Sequence, residues 1–201
     1  MLKDIGDSIG IASVIIILFI LIKKRFKSIN YVKANDGIPY MVYPSNDQTE
    51  KANLLSELIN NLFRLKSHLV EKHLNSANSK DNWSKYVAQL NENFNETKTS
   101  IYETDPSSNL TSYSVNKGDE LAFCLRCKET NKLHDINTLM YVGIHEISHI
   151  ACPEVGHGDL FKEIFKHFCL EGVNIGVYKD QDYSVNPIRY CGMNLNSSIL
   201  H

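Results

Sequence analysis

The sequence predicts an α+β domain behind a short apolar N-terminal segment, and three observations carry that expectation. Apolar residues recur at helical spacing over 50–74, more weakly over 81–97, and again over 136–151 and 159–171. Short β-rich runs bounded by turn residues occupy 31–43 and 111–127. Fourteen consecutive residues, Ile9 to Ile22, carry no charge. The 201 residues are 43% hydrophobic and 22% charged, enough for one packed core. A net charge of −2 argues against a domain that binds nucleic acid by neutralising phosphates.

The apolar run comes first. A comfortable span takes about 20 residues. Extending back to Ile5 gives eighteen, with Asp7 included. Asp4 and Asp7 before the run and KKRFK after it are wrong for a cleaved signal peptide, which starts basic and ends in small residues. The expectation is a single-pass anchor over 5–22, so that residues 1–27 form the anchor and its basic flank and 28–201 the domain. Lys23, Lys24, Arg25 and Lys27 on the C-terminal side place 28–201 in the cytosol. The five cysteines are too few for a disulfide-stapled scaffold, and reduced thiols are the simplest reading. Sequons at Asn82, Asn95, Asn109 and Asn196 matter only for a lumenal domain.

Residues 31–43 read as a hairpin about Asn35-Asp36-Gly37. Leu54, Leu55, Leu58, Leu62, Leu65 and Leu69 give the next helix its apolar stripe. Asp105-Pro106-Ser107-Ser108-Asn109 is a loop. TSYSV at 111–115 and ELAFCLRC at 120–127 are strands about a Lys117-Gly118-Asp119 turn. Asp135 is placed to cap a helix from Ile136 to Ala151, which Pro153 and Gly156 end. Asp159 caps a last helix, with Gly172 at its C-terminal end. Short strands are expected in the tail.

The chemistry sits on the third of these helices. His145, Glu146 and His149 form H-E-x-x-H. Positions i and i+4 share a helix face, so two imidazoles there can reach one ion at about 2.0–2.1 Å. Glu146, beside the first ligand, can act as general base toward a water at that ion. A catalytic zinc takes three protein ligands and leaves a fourth position open. His157 is the third candidate, brought back by the break at Pro153–Gly156 and flanked by Gly156 and Gly158. With 8 His and 12 Glu in 201 residues, chance gives about 0.02 occurrences of the motif.

HEISH, followed by GHGDLF with Phe161 four residues after His157, resembles the WLM and SprT-like zincin metallopeptidases. The longer stretch ELAFCLRCKETNKLHDINTLMYVGIHEISHI and RYCGM at 189–193 look closer still to WLM-like metallopeptidases of large DNA viruses. The likeness covers roughly residues 30–198, and its specific part is 120–165. It implies a minimal zincin domain, a small antiparallel sheet packed on helices, with zinc held by His145, His149 and His157 and with Glu146 as base. It also suggests that ELAFCLR is an edge strand above the metal that pairs with an extended substrate; an ordinary interior strand is the competing reading. The interval of eight from His149 to His157 departs from the family, being shorter in typical WLM members and longer in SprT members. Identity as a zincin survives that departure. A DNA–protein-crosslink substrate does not carry over.

Tyr183 and Tyr190 follow the motif, and either is a candidate oxyanion stabiliser, although most of the ten tyrosines will simply pack. Cys124-x-x-Cys127 has no second pair to complete a structural zinc site, and two buried thiols is the plain reading. His134 and His167 read as structural or surface residues. The expected protein is a membrane-tethered zinc peptidase acting on a protein or peptide. The alternative is a non-catalytic, zinc-binding structural or virion membrane component. A nucleic-acid-bound repair protease would need a basic groove or an added module, and neither shows.

Overall fold

A computed structural model describes residues 29–75 and 81–201. The expected membrane anchor and its basic flank lie outside the described residues. Among those described, no helix is long and apolar enough to cross a membrane.

The chain opens with the expected hairpin. Strands β1 (Asn30–Lys33) and β2 (Pro39–Val42) pair antiparallel, with Asn30 opposite Val42. Gly37 turns the corner at φ +81°. Asp36 holds the hairpin shape, accepting from the Ile38 amide at 2.8 Å and the Tyr40 hydroxyl at 2.8 Å. Helix α1 (Gln48–Val70) follows and passes into a π-helical turn, Glu71–Asn75. Its stripe of Leu55, Leu58, Leu62, Leu65 and Leu69 is fully buried. Helix α2 (Ser84–Asn93) is shorter than the expected 81–97.

Strand β3 (Ser100–Glu103) was not apparent in the sequence. It lies between β2 and β5 (Glu120–Phe123) and pairs with both in parallel. Strand β4 (Tyr113–Val115) pairs antiparallel with β5. The sheet order is β1-β2-β3-β5-β4. The small sheet is therefore mixed rather than antiparallel, because β3 enters its middle after two helices have carried the chain back to the same end. The ELAF run is the interior strand, and β4 is the edge.

Helix α3 (Ile136–Ala151) runs through the core and packs on α1, α2, β4, β5 and α4 (Asp159–Asn174). Asp135 caps it as expected, accepting from the Thr138 amide at 3.0 Å and the Thr138 hydroxyl at 2.6 Å. Gly143 lets it approach α1 closely, since a Cβ there would stand 3.1 Å from Leu62. The α4 boundaries differ from expectation at both ends. Gly158 is the N-cap, and the Asp159 carboxylate is 97% exposed, within the first turn and not over it. Gly172 lies inside the helix, where its missing side chain makes room for Ile144 at 3.2 Å. The chain leaves α4 through Gly176, at φ +71°. Strands β6 (Ile188–Tyr190) and β7 (Met193–Leu195) form a separate hairpin.

Cys124 and Cys191 form a disulfide that ties the end of β5 to the β6–β7 turn. This corrects the expectation of reduced thiols, which Cys127, Cys152 and Cys169 still meet. Sequence spacing could not reveal the pair, because its 67-residue separation is closed only by the fold.

Candidate metal centre

Helix α3 presents His145 and His149 one turn apart on the side facing away from α1. The residues around them, Ile144, Ile147 and Ile150, are fully buried, so the helix is rigidly seated. After Ala151 the backbone turns extended at Cys152 (φ −78°, ψ 125°). The chain reverses through Gly156, at φ +89°, and returns His157 to the helix.

The three rings converge. Each Nε2 lies 3.1 Å from the other two: His149 from His145, His149 from His157, and His157 from His145. Hydrogen bonding alone cannot satisfy this triangle. A ring nitrogen carries either a proton or a lone pair, so in any set of three at least two are alike and repel. A single cation facing three lone pairs removes the conflict. Tetrahedral ligands at about 2.0–2.1 Å would stand about 3.3 Å apart, close to the separation found. The donor set fits zinc.

Aromatic side chains fix the ring planes. Phe161 stacks on His149 at 4.2 Å and meets His145 and His157 edge-on at 5.0 and 4.9 Å. Phe165, next to Phe161, also meets His145 edge-on at 5.2 Å. Burial, then the neighbouring imidazoles, pushes His145 down to about 3. Burial, then His157 and Lys117, pushes His149 down to about 4. Both rings thus offer lone pairs at neutral pH.

Glu146 is buried beside them, 5% exposed. Desolvation raises its carboxyl to about 7, opposed by hydrogen bonds from the Ser114 side chain and backbone. The carboxylate therefore sits against β4.

These groups line one cavity of about 660 Å³. One wall is β4 and its approach, including Ser112 and Ser114. The rest includes Tyr141 and Val142 of α3, Val155 of the returning loop, and Met193 and Leu195 of β7. Tyr190 also lines it. Its hydroxyl lies 2.5 Å from the Ser112 Oγ, which accepts from the Cys124 amide at 3.1 Å. Burial pushes the Tyr190 phenol up, so it keeps its proton. Tyr183 does not line the cavity. It is fully buried, 4.9 Å from Tyr141 ring to ring. His134 lies under Tyr190, and His167 lies elsewhere on α4.

Sequence reasoning missed Ser112 and Ser114. Their signal is the alternation in TSYSV, which puts both on one strand face.

Acanthamoeba polyphaga mimivirus encodes a protein, uncharacterized protein R325, that is 33% identical over 189 residues, 94% of this chain and 93% of its own length. The chain belongs to its family. Uncharacterized protein 136R of Invertebrate iridescent virus 6 is 32% identical over 71 residues, 34% of this chain and 39% of that protein. Uncharacterized protein 042R of Invertebrate iridescent virus 3 is 32% identical over 82 residues, 41% of this chain and 50% of that protein. The resemblance to proteins of large DNA viruses is thus borne out. No family model matches the chain. The crystal structure of Wss1 from Saccharomyces cerevisiae aligns with a TM-score of 0.47 at 17% identity, over 67% of this chain and 87% of that one.

Proposed function

We propose that the chain is a zinc-dependent peptidase of the WLM/SprT-like zincin kind. The observation that carries this reading is the convergence of three imidazole Nε2 atoms on one point, with the Glu146 carboxylate buried at the adjacent helix position in the same cavity. His145, His149 and His157 would hold the ion. Zinc, when bound, supplies a Lewis acid that polarises the scissile carbonyl and acidifies water.

Glu146 takes the proton from the attacking water and returns it to the leaving amine. Burial suits it to both steps, because its carboxyl already favours the proton more than a free glutamate does. Ser114 holds the carboxylate in place. Tyr190 is the candidate donor to the developing oxyanion, as a neutral phenol bordering the same cavity. Strand β4, the edge of the sheet among the described residues, offers its backbone to an extended polypeptide. The cavity's walls are mostly apolar, with Val155 95% exposed and Met193 46% exposed. The substrate class is therefore an extended protein segment with large apolar side chains. A tether over 5–22, with 28–201 on the cytosolic face of a host or virion membrane, belongs to the same reading. N-glycans at Asn95 or Asn109 in eukaryotic cells would contradict that orientation.

The alternative is a membrane-tethered structural or virion component holding zinc without catalysis. Glu146 separates the two. The full-length protein and Glu146→Gln would be loaded with zinc and incubated with an unfolded protein. Cleavage by the parent alone, at equal zinc content, supports the peptidase. Zinc in both and cleavage by neither favours the structural component.

A further inference from the structure

We infer that Lys117 is a positioning residue of the metal centre: its ammonium holds the His157 loop against the end of the metal-bearing helix. The inference rests on the proposed zinc reading.

An α-helix ends in four carbonyls without helical partners, at the negative end of its dipole. Here the chain leaves α3 at Cys152 and Pro153 follows, so the missing amides cannot come from a continuing helix. Lys117 reaches across from the β4–β5 turn. Its Nζ donates to the carbonyls of His149 at 3.0 Å, Cys152 at 2.6 Å and Glu154 at 2.9 Å. An ammonium has three protons, and all three are used. Lys117 borders the cavity but has no donor left for a substrate.

The identity of the acceptors is what matters. One belongs to a candidate ligand, His149. The other two lie on the connection from that ligand to the third, His157. A single cation therefore fixes how the returning loop sits against the helix. Lys117 thereby ties the connection that leads to His157 to the helix that carries the other two rings, while Phe161 orients the His157 ring itself at 4.9 Å.

The lysine is itself held firmly. Asn116 and Lys117 both adopt left-handed backbone, at φ +48° and +59°, the form favoured by tight hairpins. Gly118 follows at φ +120°, and a Cβ there would stand 2.6 Å from the Asn93 carbonyl. The turn is thereby pressed against the end of α2. From α2 itself, Gln89 donates to the Ile150 carbonyl at 2.8 Å. Gln89 also reaches the Cys152 carbonyl, at 3.4 Å, so the end of the metal helix is pinned from two sides; among the described residues, Lys117 extends further along the loop, to Glu154.

A lysine capping a helix end for stability alone is the rival account. The molecule contains a matched control in Lys66, whose Nζ donates to the Phe94 carbonyl at the end of α2, 2.7 Å away. The test uses the full chain and the variants Lys117→Met, Lys117→Arg and Lys66→Met. Zinc affinity is read by chelator competition, and ligand geometry by the visible spectrum of the cobalt-loaded protein. We expect Lys117→Met to weaken zinc binding about tenfold or more, the usual effect of losing a group that orients a ligand. Its cobalt band should change, with Lys117→Arg in between. Lys66→Met should melt earlier with parental affinity and spectrum. Parental affinity and spectrum in Lys117→Met, with only a lower melting temperature, would overturn the inference. If Lys117→Met does not fold, Lys117→Arg decides, since an unchanged cobalt band there overturns it equally. A parent that binds no zinc would instead overturn the peptidase reading, and this inference with it.

Discussion

Two histidine clusters lie on neighbouring helices, and only one suits a metal. In the first, His145, His149 and His157 bring three Nε2 atoms within 3.1 Å of one another. In the second, His167 of α4 and His73 of the π-helical turn bring two within 3.0 Å. The difference is parity. Two ring nitrogens can share one proton, whichever of His167 and His73 carries it, and His73 Nδ1 faces the Asp81 carboxylate at 2.5 Å. Asp81 in turn accepts from the Trp83 and Ser84 amides at 3.0 Å each, and Trp83 covers His167 at 4.0 Å. Three nitrogens cannot alternate in this way, and they border an open cavity. Closeness of histidines is thus poor evidence for a metal; an odd set facing a cavity is much better evidence.

The sharpest way to break this comparison is to remove one ring from each cluster. His157→Ala should weaken zinc binding by a hundredfold or more, while His167→Ala should leave affinity unchanged, both read by chelator competition. Next comes the acid beside each cluster. Glu146→Gln should lower peptide cleavage by about 10²–10⁴-fold, the usual range for a general base, at parental zinc content. Asp81→Asn should cost stability and leave the cleavage rate alone.

The stacked aromatics sharpen the contrast at smaller effect. Phe161→Leu frees the His149 plane and should weaken zinc several-fold. Trp83→Leu, which uncovers His167, should lower the melting temperature with no change in zinc affinity. The smallest effect is in pH. Burial, opposed by Glu171 and Asp81 and reinforced by His73 and Lys72, pushes His167 down to about 4. The folded protein thus favours the neutral ring. That contribution is complete above the ordinary imidazole value of about 6.5 and is lost as pH falls toward about 4. The urea midpoint of the zinc-loaded protein should fall less between pH 7 and pH 5 in His167→Gln than in the parent.

The legible parts of the sequence were those set by local chemistry. The β1–β2 hairpin followed from Asp36-Gly37, and α3 from Asp135 and its apolar face. The triad followed from helical spacing and a Pro/Gly break. What stayed hidden depended on distant neighbours. Four residues, Ser100–Glu103, become a strand only because β2 and β5 offer edges on both sides. Gly172 reads as a helix end, and only the approach of Ile144 shows it to be a packing glycine. Cys124 and Cys191 meet across the sheet and the tail hairpin. Lys117 has no motif at all, since its role is written in three backbone carbonyls.

The most direct test of the central claim is zinc per chain in the full-length protein and in His149→Ala, by elemental analysis after incubation with zinc and removal of the excess. The account predicts one zinc per parent chain and almost none in the variant. A folded parent that retains no zinc would contradict it, and would leave a histidine triangle still in need of an explanation.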